Sequence, residues 1–397
     1  MTIASSTSQL AAHRAQFPAL AHKAYFNYGG QGVMPQAAID AIVQAHRQAQ
    51  EQGPFSGHVN TWMMGEADRA RSAIAAELQV DASTITLTED VSVGCNIGLW
   101  GIDWQAGDHL LLSDCEHPGI IAAIHEIQRR FAIEVSVCPL RDTLNEGDPT
   151  AIVTQQLRPN TRLVVISHIL WNTGQVLPLG EIVAACQQFA SRQPIRVLVD
   201  AAQSIGVLPL NLADLNVDFY AFTGHKWWGG AAGVGGLYVR PEARESLSPT
   251  FIGWRGIVYD DRGQPTAWRP DGRRYEIATS DFTLYGALCA AIASQNAWGS
   301  QADRFDRIRS LSQQLWQQLG EIPQVRCLRT APPEAGLISF QVTTGQAHAA
   351  IVQALEQQQI FVRTILDPDC IRACVHYLTL ESETDRLVGA IAAAVRA

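Results

Sequence analysis

The sequence lacks cysteine pairs, a secretory leader and long apolar runs. None of its 8 cysteines forms a C-x-x-C pair in this long chain, which argues against a disulfide framework or a structural zinc site. The N-terminal stretch MTIASSTSQLAAHRAQF has no apolar core of the kind that a signal peptide needs, and no apolar stretch reaches the length of a membrane span. We therefore expect a soluble, cytoplasmic protein without a metal site.

Runs of basic residues are also missing. The formal net charge is −9. An acidic chain without a basic cluster binds nucleic acid and anionic membranes poorly, so we expect neither as a partner. A small anionic substrate stays open, because a few local arginines suffice to hold one.

Repeats and low-complexity tracts are absent too, and 397 residues with 47% hydrophobic and 17% charged composition indicate a globular chain. Apolar periodicity alternates between strand and helix over the first two-thirds, which predicts an α/β domain with a parallel or mixed sheet covered on both faces. The last third predicts a smaller α+β domain. We predict a large domain at 25–284 and a small domain formed by 1–24 and 285–397.

The predicted elements follow from local pattern alone. The predicted strands are 84–88, 109–114, 162–169, 195–200, 218–223, 234–240, 337–342, 360–365 and 371–378. The predicted helices are 37–52, 67–80, 120–131, 181–192, 287–298, 304–322, one that starts at His348, and a C-terminal helix capped near Ser382 and Asp385.

A lysine and an aspartate end neighbouring predicted strands. Asp200 closes the apolar strand 195–200, and Lys226 follows another strand in FTGHKWWGG. Ligands of open α/β sheets bind at the carboxyl ends of the strands. A desolvated lysine has a lowered pKa and forms a Schiff base with an aldehyde, while an aspartate there pairs with a protonated heterocyclic nitrogen. Each residue alone also has a plain alternative: Lys226 fits a surface lysine on a turn, and Asp200 fits the N-cap of the next helix.

Further polar residues follow other predicted strands. A helix is predicted to begin near Asp90, and its free backbone N–H groups suit a phosphate, although Glu89 and Asp90 also fit ordinary first-turn residues. Thr223 and His225 are candidates for additional phosphate donors. His117 either stacks on a cofactor ring or is a plain loop histidine, since no partners at metal-ligand spacing accompany it.

Arginines and glycines mark two other segments. Arg363 and Arg372 lie on adjacent predicted strands, where a guanidinium makes a two-pronged match to a carboxylate; surface salt bridges are the plain alternative. The run GGAAGVGG (229–236) reads G-x-x-G-x-G and lacks the spaced acid of a dinucleotide site. No G-x-S-x-G nucleophile elbow is present.

Four ordered motifs resemble one family. VDAAQSIG, FTGHKWWG, RYEIATSDF and CIRACVHYLTLESETDRL are similar to the fold-type I pyridoxal phosphate (PLP) enzymes, and more narrowly to the class V aminotransferase, or cysteine desulfurase-like, family. The resemblance runs from YFNYGGQGVMP (25–35) to the C-terminus. NYGGQG, SHILWNTGQVLPL and DPDCIRACVHY resemble the subgroup of cyanobacterial C–S lyases of L-cysteine and L-cystine. The family resemblance implies a large mixed-sheet α/β domain with a smaller α+β domain, PLP as cofactor and a homodimer.

The resemblance also implies a role for each candidate residue. Lys226 carries the Schiff base and later moves the Cα proton, Asp200 pairs with the pyridine nitrogen, and Gln203 binds the phenolic oxygen. His117 stacks on the ring and completes the catalytic set with Lys226 and Asp200. The remaining assignments are the phosphate contacts Thr223, His225, Glu89 and Asp90, with Thr279 supplied from the partner subunit, and the substrate contacts Arg372, Arg363, Gly30, Asn172 and Trp254.

One departure separates this chain from the desulfurases that the family contains. Those enzymes carry a sulfur-accepting cysteine on a mobile loop between the two arginine-bearing strands, whereas here the connection is cut to ILDPDC and Cys370 lies just before Arg372. We therefore predict a lyase without a persulfide relay. It expels the β-sulfur group of cystine or cysteine and gives pyruvate, ammonia and cysteine persulfide or sulfide, a sulfur source for iron–sulfur clusters.

Several alternatives stay open at this point. A desulfurase that gives alanine and a protein persulfide is the nearest one, followed by an aminotransferase. A non-catalytic binding protein is disfavoured because Lys226 and Asp200 are both present. Trp227, Trp228 and Trp254 either shape an apolar pocket near the lysine or belong to the core.

Overall fold

The computed structural model describes residues 3–396. Its helices are α1 (Ile3–Arg14), α2 (Gln36–Glu51), α3 (Gly57–Leu78), α4 (Val91–Trp100), α5 (Pro118–Phe131), α6 (Pro149–Gln156), α7 (Leu179–Gln188), α8 (Leu212–Leu215), α9 (Thr283–Trp298), α10 (Gln301–Gly320), α11 (His348–Gln357) and α12 (Glu381–Ala394). Its strands are β1 (Ala24–Tyr25), β2 (Ile85–Thr88), β3 (His109–Ser113), β4 (Glu134–Cys138), β5 (Thr161–Ser167), β6 (Arg196–Asp200), β7 (Phe219–Thr223), β8 (Gly235–Val239), β9 (Ile257–Tyr259), β10 (Pro265–Trp268), β11 (Val325–Cys327), β12 (Leu337–Val342), β13 (Ile360–Phe361), β14 (Arg363–Leu366) and β15 (Asp369–Cys374).

A 7-stranded sheet in the order β2-β8-β7-β6-β5-β3-β4 organises the larger part of the chain. Strands β4, β3, β5, β6 and β7 are parallel, β8 is antiparallel to β7, and β2 is antiparallel to β8. Strand β2 therefore runs with the parallel set, and the carboxyl ends of six strands meet at one edge. The predicted α/β architecture with a large mixed sheet is confirmed.

The near-continuous apolar strands are explained by burial on both faces of this sheet. Along β5, Val164 and Ile166 belong to one core cluster, whereas Leu163 and Val165 belong to the cluster on the other face. Helices cover both faces, so alternate residues of one strand meet different apolar partners. None of the described helices is long and apolar enough to cross a membrane.

A second, antiparallel sheet lies towards the C-terminus. Its order is β11-β12-β15-β14, and a separate cluster of apolar residues from α10, α11 and α12 packs with it. Strand β1 pairs with β13, so the chain near its N-terminus joins this unit. Helix α9 runs without a break through the predicted boundary near residue 285. The division at 25–284 stays a prediction.

Local pattern missed several elements. Helix α1, the edge strand β4 and the β9–β10 hairpin had no prediction, and α3 begins at Gly57, ten residues before the predicted start at 67. Strand β4 lies at the edge of the sheet and only Cys138 in it is buried, so it lacks the continuous apolar run of the central strands. All four residues of β10 in the hairpin are exposed, so this strand has no buried apolar face that a pattern could show.

Two predicted boundaries were wrong in an instructive way. The predicted strand 371–378 ends at Cys374, and its last four residues form a buried loop. The C-terminal helix is not capped by Ser382 and Asp385. Instead, the helix begins at Glu381, two residues before the start that this cap pattern indicates, and the Leu380 N–H donates to Glu383 Oε2 at 2.9 Å.

A buried carboxylate connects helix α3, the end of β2 and the segment before α9. Glu276 Oε1 lies 2.7 Å from Arg71 Nη2, and Glu276 Oε2 lies 2.5 Å from Arg255 Nη2. The Leu87 N–H donates to the same carboxylate at 3.1 Å. These side chains are almost fully buried, so each charge depends on the others for compensation.

We expect Glu276→Ala to lower the free energy of unfolding by about 3–5 kcal/mol, because it leaves two buried guanidinium groups unpaired. Denaturant unfolding followed by circular dichroism measures this change. The matched control is Glu134→Ala, which breaks an exposed pair with Arg158 and should cost about 0–1 kcal/mol. Equal losses in the two variants would contradict the role of Glu276.

Candidate active site

A cavity of about 240 Å³ opens at the carboxyl edge of the large sheet. Loops that follow β2, β3, β5, β6 and β7 line it on one side, and strands β14 and β15 line it on the other. The predicted site residues that line it are Gly30, Asp90, His117, Asp200, Gln203, His225, Lys226, Arg363 and Arg372. Residues far apart in the sequence thus converge on one cavity.

Lys226 is held in place through its backbone. It follows β7 closely, and its own carbonyl accepts a hydrogen bond from Gly229 N at 3.0 Å. The neighbouring His225 carbonyl accepts one from Gly32 N at 2.7 Å. A Cβ added at Gly32 would overlap the Lys226 carbonyl oxygen, so this approach requires glycine.

Desolvation dominates the chemistry of this lysine. Burial lowers the pKa of the Lys226 amine to about 8, and the nearby Asp200 carboxylate partly opposes that shift. The guanidinium groups of Arg372 and Arg363 lower the same pKa further. A neutral amine is therefore within reach near physiological pH, which is what a nucleophile and proton acceptor needs.

Asp200 ends β6 inside the protein and is 6% exposed. Its Oδ1 accepts a hydrogen bond from Ala202 N at 2.9 Å. The following residues form a turn and the next helix, α8, is capped by Asn211, so Asp200 is not a helix N-cap. Burial raises the pKa of the Asp200 carboxyl, and Lys226 and His117 oppose that rise. A buried anion in a cavity wall suits a cationic group bound beside it.

Gln203 connects three parts of the site. Its Oε1 accepts a hydrogen bond from Trp227 Nε1 at 2.9 Å, and its Nε2 donates to the Gly29 carbonyl at 2.9 Å. The second N–H of its amide is free to serve a ligand, because an amide nitrogen carries two donors. Trp227 and Trp228 are each 1% exposed and pack behind the lysine, so they belong to the core.

The expected anion-binding end of the site lies at the start of α4. This helix begins at Val91, and the Asp90 side chain caps it by accepting from Val93 N at 2.9 Å. Asp90, Val91 and Ser92 line the cavity. Thr223 Oγ1 lies 2.6 Å from Nδ1 of His225, which also lines the cavity. The carboxylate of Asp90 is thus occupied by the cap, and the helix start is left facing the cavity.

His117 occupies the N-cap position of α5. Its Nδ1 accepts a hydrogen bond from Gly119 N at 3.2 Å, and its ring meets Trp171 edge-on with centroids 5.7 Å apart. Burial lowers the pKa of His117, an effect that Asp200 opposes. A lowered pKa favours the neutral ring, which suits stacking on a flat aromatic ligand better than charge pairing.

Two arginines face each other across β14 and β15. Arg363 pairs with Arg372 in the strand register, and Arg372 is 1% exposed. Arg372 Nη1 donates to the Trp171 carbonyl at 2.7 Å, whereas its Nε and Nη2 are buried without a partner among residues 3–396. Arg363 is exposed at the mouth of the cavity. Two unpaired donors on one buried guanidinium match a carboxylate.

Five predicted site residues do not line this cavity. One of them, Thr223, contacts the lining residue His225. Glu89 and Thr279 line an adjoining groove of about 730 Å³, which shares Asp90 and Ser92 with the cavity. Trp254 is 46% exposed and lies outside the lining. Asn172 is buried beside the β14–β15 turn, where its Nδ2 donates to the Asp367 carbonyl at 3.2 Å. Their ligand contacts stay predictions.

Sequence reasoning missed some of the lining. Ser92, Ser167, Ile169 and Trp171 reach the cavity wall. Ser167 ends β5, and Trp171 lies in the loop that follows it. The rule used for Asp200, that ligands bind at the carboxyl ends of strands, would have found both residues. No group of three or more His, Cys, Asp or Glu side chains in the described part of the chain is arranged to hold a metal ion.

Lys226 makes stability depend on pH in the cofactor-free protein. Below about pH 8 the amine is protonated in both the folded and the unfolded chain, and burying the cation costs free energy. Between about 8 and the ordinary value of 10.5, the folded state loses its proton first, so stability rises with pH. We expect the free energy of unfolding of the wild type to rise by on the order of 3 kcal/mol across this window, and Lys226→Met to lack this rise.

Denaturant unfolding at several pH values measures that difference between wild type and Lys226→Met. Lys23→Met, at the chain's other lysine, is the control and should keep the wild-type pH profile. A parallel profile for Lys226→Met and wild type between pH 8 and 10.5 would show that burial does not lower the pKa of this lysine.

Two solved structures of one enzyme are similar to this chain over nearly its whole length. A solved complex of the cystine C–S lyase C-DES with its reaction product cysteine persulfide is 50% identical, with a TM-score of 0.94 and coverage of 95% of this chain and 99% of that one. A C-DES mutant with glycine covalently linked to its PLP cofactor is 49% identical, with a TM-score of 0.94 and coverage of 96% and 98%.

Curated relatives are more distant in sequence. Isopenicillin N epimerase of Streptomyces clavuligerus is 28% identical over 379 residues, which cover 92% of this chain and 93% of the relative. A probable cysteine desulfurase of Vibrio cholerae is 28% identical over 412 residues, which cover 97% and 98%. These likenesses, together with the C-DES structures, confirm the predicted fold class. Residues 24–393 match the profile of the family described as Aminotransferase class-V, and the chain therefore belongs to the class V aminotransferase family.

Proposed function

We propose that this protein is a PLP-dependent C–S lyase that acts on L-cystine or L-cysteine by β-elimination. Its products are pyruvate, ammonia and cysteine persulfide or sulfide. The observation that carries the proposal is the short β14–β15 turn. Only two residues connect Leu366 to Asp369, and neither is a cysteine that could accept sulfur. The similarity to C-DES, described as a cystine C–S lyase, supports the same reaction.

The residues of the cavity fit PLP. Asp200 is a buried anion suited to the protonated ring nitrogen, and Lys226 is a buried amine suited to the aldehyde. Gln203 has a free amide N–H for the phenolic oxygen, and the start of α4, with Thr223 and His225, suits the phosphate. When bound, PLP supplies an electron sink that stabilises negative charge at the substrate Cα.

The chain's own residues then position the substrate and move its proton. The unpaired Nε and Nη2 of Arg372 hold the α-carboxylate, which orients the Cα–H bond. The Lys226 amine, with its pKa near 8, accepts the Cα proton as a general base. The β-sulfur leaves with the electron pair of the C–S bond, and the remaining three-carbon enamine hydrolyses to pyruvate and ammonia.

A homodimer is part of the proposal, with Thr279 reaching the partner subunit's phosphate site. Thr279 is exposed on the segment before α9, at the rim of the groove that adjoins the cavity. Exposed apolar side chains surround that segment, with Phe251 at 65%, Ile252 at 58% and Ile277 at 43% exposure. Apolar exposure of this kind suits a protein interface. Glu89 and Trp254 are expected to contact ligands in that setting.

The desulfurase alternative is weakened by the cysteines. Cys370 and Cys374 lie within β15 and are fully buried. Burial raises the pKa of the Cys370 thiol to about 12, so it is not a thiolate at neutral pH. An aminotransferase remains an outcome of the product assay below. We further propose that the released persulfide or sulfide serves as a cytoplasmic sulfur source, including for iron–sulfur clusters.

Product analysis tests the reaction. The PLP-loaded protein, given cystine and cysteine in parallel, should release pyruvate and ammonia and no alanine. Cys370→Ala and Cys374→Ala should keep most of the activity, because neither thiol takes part. Lys226→Ala should abolish pyruvate release. Alanine as the main product, or loss of activity with either cysteine, would establish the desulfurase reaction instead; a keto acid with the amine form of the cofactor would indicate transamination.

The two arginines should differ in what they recognise. Arg372→Lys should raise KM for cystine and cysteine alike, by about 10–100-fold, because it replaces a two-pronged donor by a point charge. Arg363 lies at the mouth, where cystine presents its second carboxylate. Arg363→Ala should therefore raise KM for cystine by about fivefold and leave cysteine less affected. Steady-state kinetics on both substrates decides, and equal effects of Arg363→Ala on both would remove this role.

A further inference from the structure

An ion pair connects the large sheet to the turn between β14 and β15. Arg141 lies in the segment after β4, and Asp367 lies at the tip of the turn. Arg141 Nη1 is 2.7 Å from Asp367 Oδ1, and Arg141 Nη2 is 3.2 Å from Asp367 Oδ2. Both prongs of the guanidinium are thus used, which restricts the turn more than a single contact would.

Arg141 is itself fixed to the end of β3. Its backbone N–H donates to Asp114 Oδ1 at 3.0 Å, and its Nε lies 3.7 Å from Asp114 Oδ2. Asp114 directly follows β3 and lies three residues before His117. The ion pair therefore connects the turn to the same strand end that carries the ring-stacking histidine.

The turn is also fixed to the end of β5. Asn172 Nδ2 donates to the Asp367 carbonyl at 3.2 Å. The preceding residue, Trp171, accepts the hydrogen bond from Arg372 Nη1 at 2.7 Å. One short stretch after β5 thus holds both the tip of the turn and the guanidinium that faces the cavity. Asp367 does not line the cavity, so its effect on the substrate passes through the arginines.

A second contact of the same segment supports its bracing role. Asn145 Nδ2 donates to the Leu328 carbonyl at 2.9 Å, and Asn145 Oδ1 accepts from Thr330 N at 2.8 Å. Leu328 directly follows β11 of the second sheet. The segment from Arg141 to Asn145 therefore holds the second sheet at two separate places.

We propose that Arg141 and Asp367 are positioning residues that clamp the β14–β15 turn against the large sheet and hold Arg363 and Arg372 ready for the substrate. The inference deepens the proposed function and rests on it for the identity of the substrate. Arg363 and Arg372 sit on the two strands that meet at this turn, so a turn that moves takes both guanidinium groups with it. The clamp acts on binding of the amino acid and leaves the proton transfer at Lys226 unchanged.

Kinetics of the holoenzyme tests the clamp in a double-mutant cycle. Arg141→Ala and Asp367→Ala should each raise KM for cystine by about fivefold, the loss expected of one exposed two-pronged ion pair, with kcat nearly unchanged. The double variant should raise KM no further than either single variant, because both remove the same interaction. Arg158→Ala, which breaks an exposed pair with Glu134 far from the turn, is the control and should keep the wild-type KM.

Amide hydrogen exchange gives a readout that needs no catalysis. Amides of residues 363–374 should exchange faster in Arg141→Ala and Asp367→Ala than in wild type, while Arg158→Ala should match wild type. An unchanged exchange rate, additive KM effects in the double variant, or a fall in kcat at constant KM would each overturn the clamp. A wild-type protein that releases no pyruvate from cystine or from cysteine would overturn the proposed function instead, and the exchange data would still decide the clamp.

Discussion

The site depends on one electrostatic constraint: a lysine and an aspartate are both removed from water at the same edge of the sheet. Neither charge is stable there alone, since burial lowers the pKa of Lys226 and raises that of Asp200. Each group partly offsets the shift of the other. The pair is therefore costly as a structural element and useful as a chemical one, because it leaves an amine able to lose its proton near neutral pH.

The loop of residues 27–32 makes this arrangement sterically feasible. Gly32 packs against the backbone of Lys226, and a Cβ at Gly29 would lie 2.8 Å from Arg372 Nη2. Glycine at both positions lets one loop pass close to the lysine backbone and to the arginine side chain. Gln203 then fixes the same loop through the Gly29 carbonyl. This short segment thus helps to shape the cavity, which Gly29 and Gly30 line.

Much of the fold was predictable from the sequence, and the reason is physical. Strands β3, β5 and β6 are buried on both faces, so each is a continuous apolar run in the sequence. Such a run can be identified as a strand without knowing what packs against it. Exposed or partly buried elements lack that signal, which is why β4 and the β9–β10 hairpin had no prediction. The predicted cap of α12 was wrong for another reason. Its first turn contains several acidic and hydroxyl residues, and the path of the backbone decides which side chain accepts the capping hydrogen bond.

The sequence by itself determined the residue types of the site, since Asp200, Lys226 and the two arginines stand in motifs that need little context. Only the tertiary structure decided how they differ. Arg372 is buried with two free donors while Arg363 lies at the mouth, although both occupy similar strand positions. Trp171 reaches the cavity and Asn172, its neighbour, does not. Orientation and desolvation depend on contacts between distant segments, and local pattern carries no information about them.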